Sequence, residues 1–181
     1  MDVRSLQSSR IFSCGVVLAL LCVACPAELL AQCEVQKLTA SDAAPYDEFG
    51  VSVSVSGDVA LVGAESNGCA AGIQCGAAYV YRFNGVRWLE EQKLTAADAA
   101  SRAFFGVSVS VSGDVAVVGA PQPGCTSGSS CGAAYVYRFD GAIWVEEQKL
   151  TASDAMGDNR FGWSVSVDGD PGGHAATPGR L

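Results

Sequence analysis

The residues of this chain that could do chemistry are few, and their spacing is regular. Four cysteines fall into two pairs, each six residues apart: Cys69 with Cys75, and Cys125 with Cys131. Between them lie Ala70-Ala71-Gly72-Ile73-Gln74 and Thr126-Ser127-Gly128-Ser129-Ser130, segments that turn readily. Each pair can close a small loop as a disulfide, contributing about 2–2.5 kcal/mol by loop-closure entropy. Metal binding is the weaker reading, because two cysteines supply half a tetrahedral site and no histidine lies near. Free thiols are the third. Of the eight cysteines, Cys14, Cys22 and Cys25 fall in an N-terminal apolar run expected to be removed, and Cys33 is left over, either a free thiol or a link to another chain. The single histidine, His174, stands near the C-terminus. One histidine nearly excludes His-based zinc sites and disfavours a Ser-His-Asp triad.

Acids and aromatics also recur. Glu90-Glu91 and Glu146-Glu147 look like paired catalytic acids. Neighbours on a strand point to opposite faces, so they cannot flank one bond. They read as edge-strand charges that discourage sheet-to-sheet aggregation. Trp88 and Trp144 could be ligand platforms, but their recurrence in equivalent places favours packing. No catalytic residue and no cofactor-binding residue is expected.

These residues recur because the chain repeats. Gln36-Lys37-Leu38-Thr39-Ala40 returns at Gln92–Ala96 and Gln148–Ala152, a period of 56 residues. Phe49-Gly50 returns as Phe105-Gly106 and Phe161-Gly162, and Gly76–Phe83 returns as Gly132–Phe139. A period near 50 with several β runs per unit is the signature of a propeller. Each unit reads as four strands. The first is Val51–Ser56, strictly alternating, with valines on one face and serines on the other. The serines read as small residues for tight packing rather than nucleophiles, since no base lies within sequence reach. Gly57-Asp58 turns the chain into Val59–Val62. The cysteine loop follows, then Ala77–Phe83, an Asn84-Gly85 hairpin turn and Val86–Thr95. The second unit predicts Val107–Ser112, Val115–Val118, Ala133–Phe139 and Ile143–Thr151.

Composition sets the outer bounds. With 181 residues the chain is one domain or part of a larger one. It has 11 Lys and Arg against 19 Asp and Glu, a net charge of −8, which argues against nucleic-acid binding through phosphates. At 49% hydrophobic and 17% charged it is not disordered by composition. Arg4 and Arg10 precede an apolar run, Ile11 to Cys25, of signal-peptide length rather than membrane-spanning length. Residues 1–31 are expected to be a signal peptide cleaved after Leu29-Leu30-Ala31. An uncleaved anchor, or a lipid-modified cysteine in Cys22-Val23-Ala24-Cys25, are the alternatives. No later run is long enough to span a membrane, so the expected location is secreted, extracellular or cell-surface.

Phe-Gly, an alternating strand, Gly-Ala-Pro and Gly-x-x-Tyr-Val-Tyr together resemble the FG-GAP repeat, the blade motif of the integrin alpha-chain β-propeller and of many secreted bacterial proteins. Here the motif is Phe49-Gly50 with Gly63-Ala64-Glu65, and Phe105-Gly106 with Gly119-Ala120-Pro121. The first copy has Glu65 where the family has Pro, and the third has Phe161-Gly162 without Gly-Ala-Pro. The resemblance covers about residues 34–170 and implies binding or adhesion. It also raises calcium, because many integrin-type blades carry an acidic loop between the first two strands. Here that place holds only Ser56-Gly57-Asp58 and Ser112-Gly113-Asp114, too few oxygens for calcium. The inter-blade loop acids do not read as a repeat; Asp154 with Asp158 is the best remaining calcium candidate.

The expected fold is therefore all-β: antiparallel four-stranded blades of an incomplete β-propeller, two full blades with partial strands at each end. Propellers typically have 4–8 blades, so residues 32–170 fall short of a ring. The strand-four remnant Glu34 to Ala40 suggests a true domain start, with the missing part at the C-terminus. Residues 171–181 form a divergent tail. Gly172-Gly173-His174 shifted by one base allows Val-Val, as a frameshift would produce. Open blade faces predict self-association. The expected function is a secreted, non-catalytic binding or adhesion module with an extracellular protein or glycan ligand. A structural repeat fragment without independent function, or a propeller enzyme, are the alternatives.

Overall fold

The computed structural model describes residues 35–122, 131–154 and 159–169. The chain divides into two units, Met1–Lys37 and Leu38–Leu181. Of the first, residues 35–37 are described and carry no regular structure. The predicted signal peptide, Cys33, Cys125, Asp158, His174 and the divergent tail lie outside the described residues.

The second unit holds eight described strands: β1 Phe49–Ser56, β2 Val59–Ala64, β3 Ala77–Phe83, β4 Trp88–Leu94, β5 Ser108–Ser112, β6 Val115–Ala120, β7 Ala133–Phe139 and β8 Trp144–Leu150. They form two antiparallel sheets in chain order, β1-β2-β3-β4 and β5-β6-β7-β8. Each sheet is one blade of the expected kind. The strands extend where the alternation predicts. The second strands run on through Gly63-Ala64 and Gly119-Ala120, because Gly63 and Ala64 pair with Ala78 and Ala77.

The partial strands expected at each end are not strands here. Residues 35–40 and 162–169 carry no ladder, and Phe161 makes one isolated bridge, to Gly132. A lone extended segment has no second strand to satisfy its backbone donors and acceptors. The third Phe-Gly segment is instead held against β5: Ser108 Oγ donates to the Gly162 carbonyl at 2.8 Å, and the Val167 amide donates to Ser110 Oγ at 3.0 Å.

The turns follow their residues. Gly57 and Gly113 take φ of +58° in the first hairpins, and Gly85 and Gly141 take +90° and +100° in the outer ones. The Asn84 side chain accepts the Val86 and Arg87 amides, and Asp140 accepts the Ala142 and Ile143 amides. Those two amides hold the Asp140 carboxyl below its usual range.

Period-two alternation gives each blade two faces. In blade one, Ala60, Val62, Ala64, Tyr79 and Tyr81 pack under Leu38 and Ala40. On the other face, Val59, Leu61, Val80 and Leu94 share one core with Val109, Val111, Val118 and Trp144 of blade two. The main core is thus the junction between blades.

Candidate functional site

Blade one meets blade two through backbone and small residues. A Cβ on Gly63 would stand 1.9 Å from the Gly106 carbonyl oxygen, and one on Gly76 would stand 2.0 Å from that of Phe105. Only glycine allows that approach. Gly106 itself has φ of +92°, and its amide donates to the Gly119 carbonyl at 2.9 Å. The second junction repeats this with Gly119, Gly132 and Gly162.

The serines of the inner strands are inter-blade hydrogen-bonding groups. Ser52 Oγ donates to the Gly106 carbonyl at 2.8 Å. Ser54 and Ser56 accept the Val111 and Gly113 amides, each at 3.1 Å. Reading them as small packing residues missed this, because alternation alone does not say what faces them.

At the turn end of this junction a cleft of about 300 Å³ opens between the blades, lined by Asp58, Arg82, Asp114, Phe139 and Trp144 among others. Strand alternation puts Arg82 on the face toward blade two. Its guanidinium binds Glu91 through Nε at 2.8 Å and Nη2 at 3.1 Å, reaches Asp58 at 3.4 Å, and lies 4.8 Å over the Phe139 ring. The Glu91 hydrogen bond raises the Arg82 pKa further above its ordinary value. Trp144 Nε1 donates to Glu91 at 3.4 Å, and the Trp144 backbone is clasped by the Gln92 side chain at 2.7 and 2.8 Å. Asp58 and Asp114 remain more than half exposed at the cleft rim. The carboxylates of Asp58 and Asp114 line the rim, while the Arg82 guanidinium and the Trp144 ring are taken up by contacts within the junction.

The members of each glutamate pair sit on opposite faces of the edge strands β4 and β8, as alternation requires, and they also serve as ties. Glu90 accepts the Ser41 amide and hydroxyl at 2.8 and 2.7 Å, fixing the segment that enters blade one. Glu146 accepts the Ala97 amide in the same way. Trp144 is 3% exposed within the junction core, and Trp88 packs on Phe83 with centroids 5.4 Å apart, which makes both packing residues.

The loop acids do repeat, contrary to the reading above. Asp42 accepts from Tyr79 Oη at 2.7 Å and from Lys93 at 2.6 Å. Asp98, 56 residues on, accepts from Tyr135 Oη at 2.7 Å and Lys149 at 2.5 Å. The Lys93 hydrogen bond holds Asp42 below the usual carboxylate range. Burial opposes the same effect at Asp98, where the Lys149 and Tyr135 hydrogen bonds outweigh it. Burial and these carboxylates push the tyrosines well above the ordinary phenol range. Asp154 is the next member of the series and lies exposed on a turn. Equal spacing of Asp, Tyr and Lys in the sequence was the signal that could have found these ties. Among the described residues, no group of three or more His, Cys, Asp or Glu is placed to hold a metal ion.

Cys69 and Cys75 form the expected disulfide, with Cα atoms 5.8 Å apart. Cys131 is also disulfide-bonded; its expected partner, Cys125, is one of the residues not described. The Cys69–Cys75 loop receives the next blade: the Arg102, Phe104 and Phe105 amides donate to the carbonyls of Ile73, Gln74 and Cys75.

Phe-Gly, Gly-Ala and the glycine before Ala-Ala-Tyr therefore meet at one junction, and it occurs twice. A protein-family model, the FG-GAP repeat, matches residues 33–81, 88–137 and 144–171. The chain belongs to the FG-GAP repeat family. No curated protein matches it. In this FG-GAP chain the motif residues are the ones whose missing side chains or left-handed backbone let one blade seat on the next. Glu65, which replaces the proline of the motif, faces a second carboxylate, Glu48. Burial, then the hydrogen bond with Glu48, holds the Glu65 carboxyl above its usual range.

Proposed function

We propose that this FG-GAP chain is a non-catalytic binding or adhesion module of β-propeller type, working outside the cell or at its surface, with an extracellular protein or glycan as ligand. The observation that carries this reading is the cleft between the blades. Asp58 and Asp114 stand at its rim, Arg82 lies within it, and the rings of Phe139 and Trp144 form its wall. A cleft of this size is at the lower end for small-ligand sites, and exposed carboxylates at its rim suit sugar hydroxyls or a polar peptide. Arg82 is committed to Glu91 and Asp58, so the rim carboxylates carry the contacts in this reading. The disulfide supports an oxidising compartment. Among the described residues, no helix is long and apolar enough to cross a membrane.

The test is retention of a glycan and extracellular-matrix protein panel on the immobilised protein, with the Asp58→Asn/Asp114→Asn variant beside it. Binding by the parent and at least tenfold weaker binding by the variant are expected. Equal retention by both, or none by the parent, would sink the reading, as would turnover of a bound glycan.

A further inference from the structure

The chain has three asparagines, Asn67, Asn84 and Asn159, and the first two are each followed by glycine. Glycine leaves its amide nitrogen unshielded, so an asparagine before glycine is open to attack by its own backbone. The fold treats the two pairs differently. Asn67 is 6% exposed, and its carboxamide is held at both ends: Nδ2 donates to Asp47 at 3.0 Å, and Oδ1 accepts from Lys93 at 2.9 Å. Asn84 and Gly85 instead stand exposed on the outer hairpin turn of blade one. There Asn84 Oδ1 accepts the Val86 and Arg87 amides at 3.0 and 2.9 Å. Those bonds turn the carboxamide forward along the chain, past the Gly85 peptide. They also aim two N–H dipoles at the oxygen on which negative charge develops when Cγ is attacked, as an oxyanion hole does. The equivalent turn of blade two already carries the product of such an attack: Asp140 accepts the Ala142 and Ile143 amides at 2.8 and 2.9 Å.

We propose that Asn84 is a self-modifying residue, converted to aspartate by the turn that holds it. The Gly85 nitrogen gives its proton to solvent base and bonds to Asn84 Cγ. The Cγ–Nδ2 bond breaks, and ammonia leaves a cyclic imide behind. Water then opens the imide at one of its two carbonyls. Opening at Cγ gives aspartate in the ordinary chain; opening at the main-chain carbonyl gives the iso form, with the chain routed through the side chain. The aspartate meets the same two amides that held the asparagine, in the way Asp140 meets its own, so the turn accepts it. One negative charge is added to a net −8, and the outer turns of the two blades become chemically alike. Asn67 is spared, because reaching the Gly68 nitrogen would break its bonds to Asp47 and Lys93.

Peptide mass mapping of the full-length chain, incubated at mildly alkaline pH with and without urea, tests this. In the folded protein Asn84 is expected to convert at least as fast as in urea, and at least tenfold faster than Asn67. In urea the two should keep pace, since both precede glycine. Gly85→Ala should slow Asn84 at least tenfold; it is read in urea, where the strain of a side chain at the folded φ of +90° has no effect. Asn84→Asp should melt with the parent, because Asp140 shows the same turn built on a carboxylate. Slower conversion of Asn84 in the fold than in urea, or conversion of folded Asn67 at the Asn84 rate, would overturn the proposal. So would a Gly85→Ala rate equal to that of the parent, or an Asn84→Asp variant that melts well below it.

Discussion

The Ser52 hydroxyl donates to the Gly106 carbonyl at 2.8 Å, and the Ser108 hydroxyl donates to the Gly162 carbonyl at the same distance. The two bonds are one device used twice. Each fixes the Phe-Gly entrance of a following unit against the inner strand of the unit before it. Ser52→Ala removes the donor from a half-buried carbonyl and is expected to cost about 1 kcal/mol. Urea denaturation checks it; an unchanged midpoint would mean water replaces the hydroxyl freely.

Gly63→Ala should be far more severe. The new Cβ would stand 1.9 Å from a backbone carbonyl and 2.4 Å from Ser52 Oγ. The carbonyl cannot swing away without parting the blades, so a loss of about 3 kcal/mol or more is expected. At Gly57 a Cβ meets open space, and Gly57→Asn, suited to its left-handed backbone, should be nearly neutral. Thermal melts of the two variants give the comparison.

Cys69→Ser/Cys75→Ser should lower stability by about 2 kcal/mol through loop entropy. The local effect should fall across the junction, on the Arg102, Phe104 and Phe105 amides that donate to the loop. Hydrogen exchange should quicken there before it quickens in β2 or β3. Uniform exchange across both blades would show that the loop does not clasp the next blade.

The Glu65 carboxyl is raised by burial and by Glu48. Above the ordinary glutamate value of 4.5 the folded state therefore holds a proton that the unfolded state has released. Stability falls as pH rises through that window. Glu65→Gln should abolish the fall, as read from denaturation midpoints between weakly acidic and neutral pH. A slope unchanged by the variant would assign it to another group.

Asp42 and Asp98 act in the opposite sense. Their folded values lie below the ordinary 3.8, so their contribution is present above that pH and is lost as pH falls through the lowered values. Asp98→Asn should flatten the acid limb of the stability profile. Its effect should exceed that of Asp140→Asn, whose carboxyl binds only turn amides.

The sequence by itself determined the repeat, the four strands of each blade and their turns. Strict valine–serine alternation, Asn84-Gly85 and a fixed period are local signals, and local backbone preference is enough to read them. It also pointed to the Cys69–Cys75 pairing, because the five turn-forming residues between them hold the two sulfurs near each other. The tertiary structure alone decided what each face meets. Alternation places Ser52 opposite Val53, but only the stacking of one sheet on the next aims Ser52 at Gly106, 54 residues away. The Asp42–Tyr79–Lys93 tie, on the face of blade one away from blade two, and Arg82 over Phe139, across the blade junction, likewise join residues far apart in the chain. Such contacts depend on the twist and offset of packed sheets, which no short stretch of sequence encodes. Strand formation at the ends also depended on the fold. Phe161–Gly169 carries the same pattern as β1, yet no strand pairs with it among the described residues, and it is a segment held by two serines.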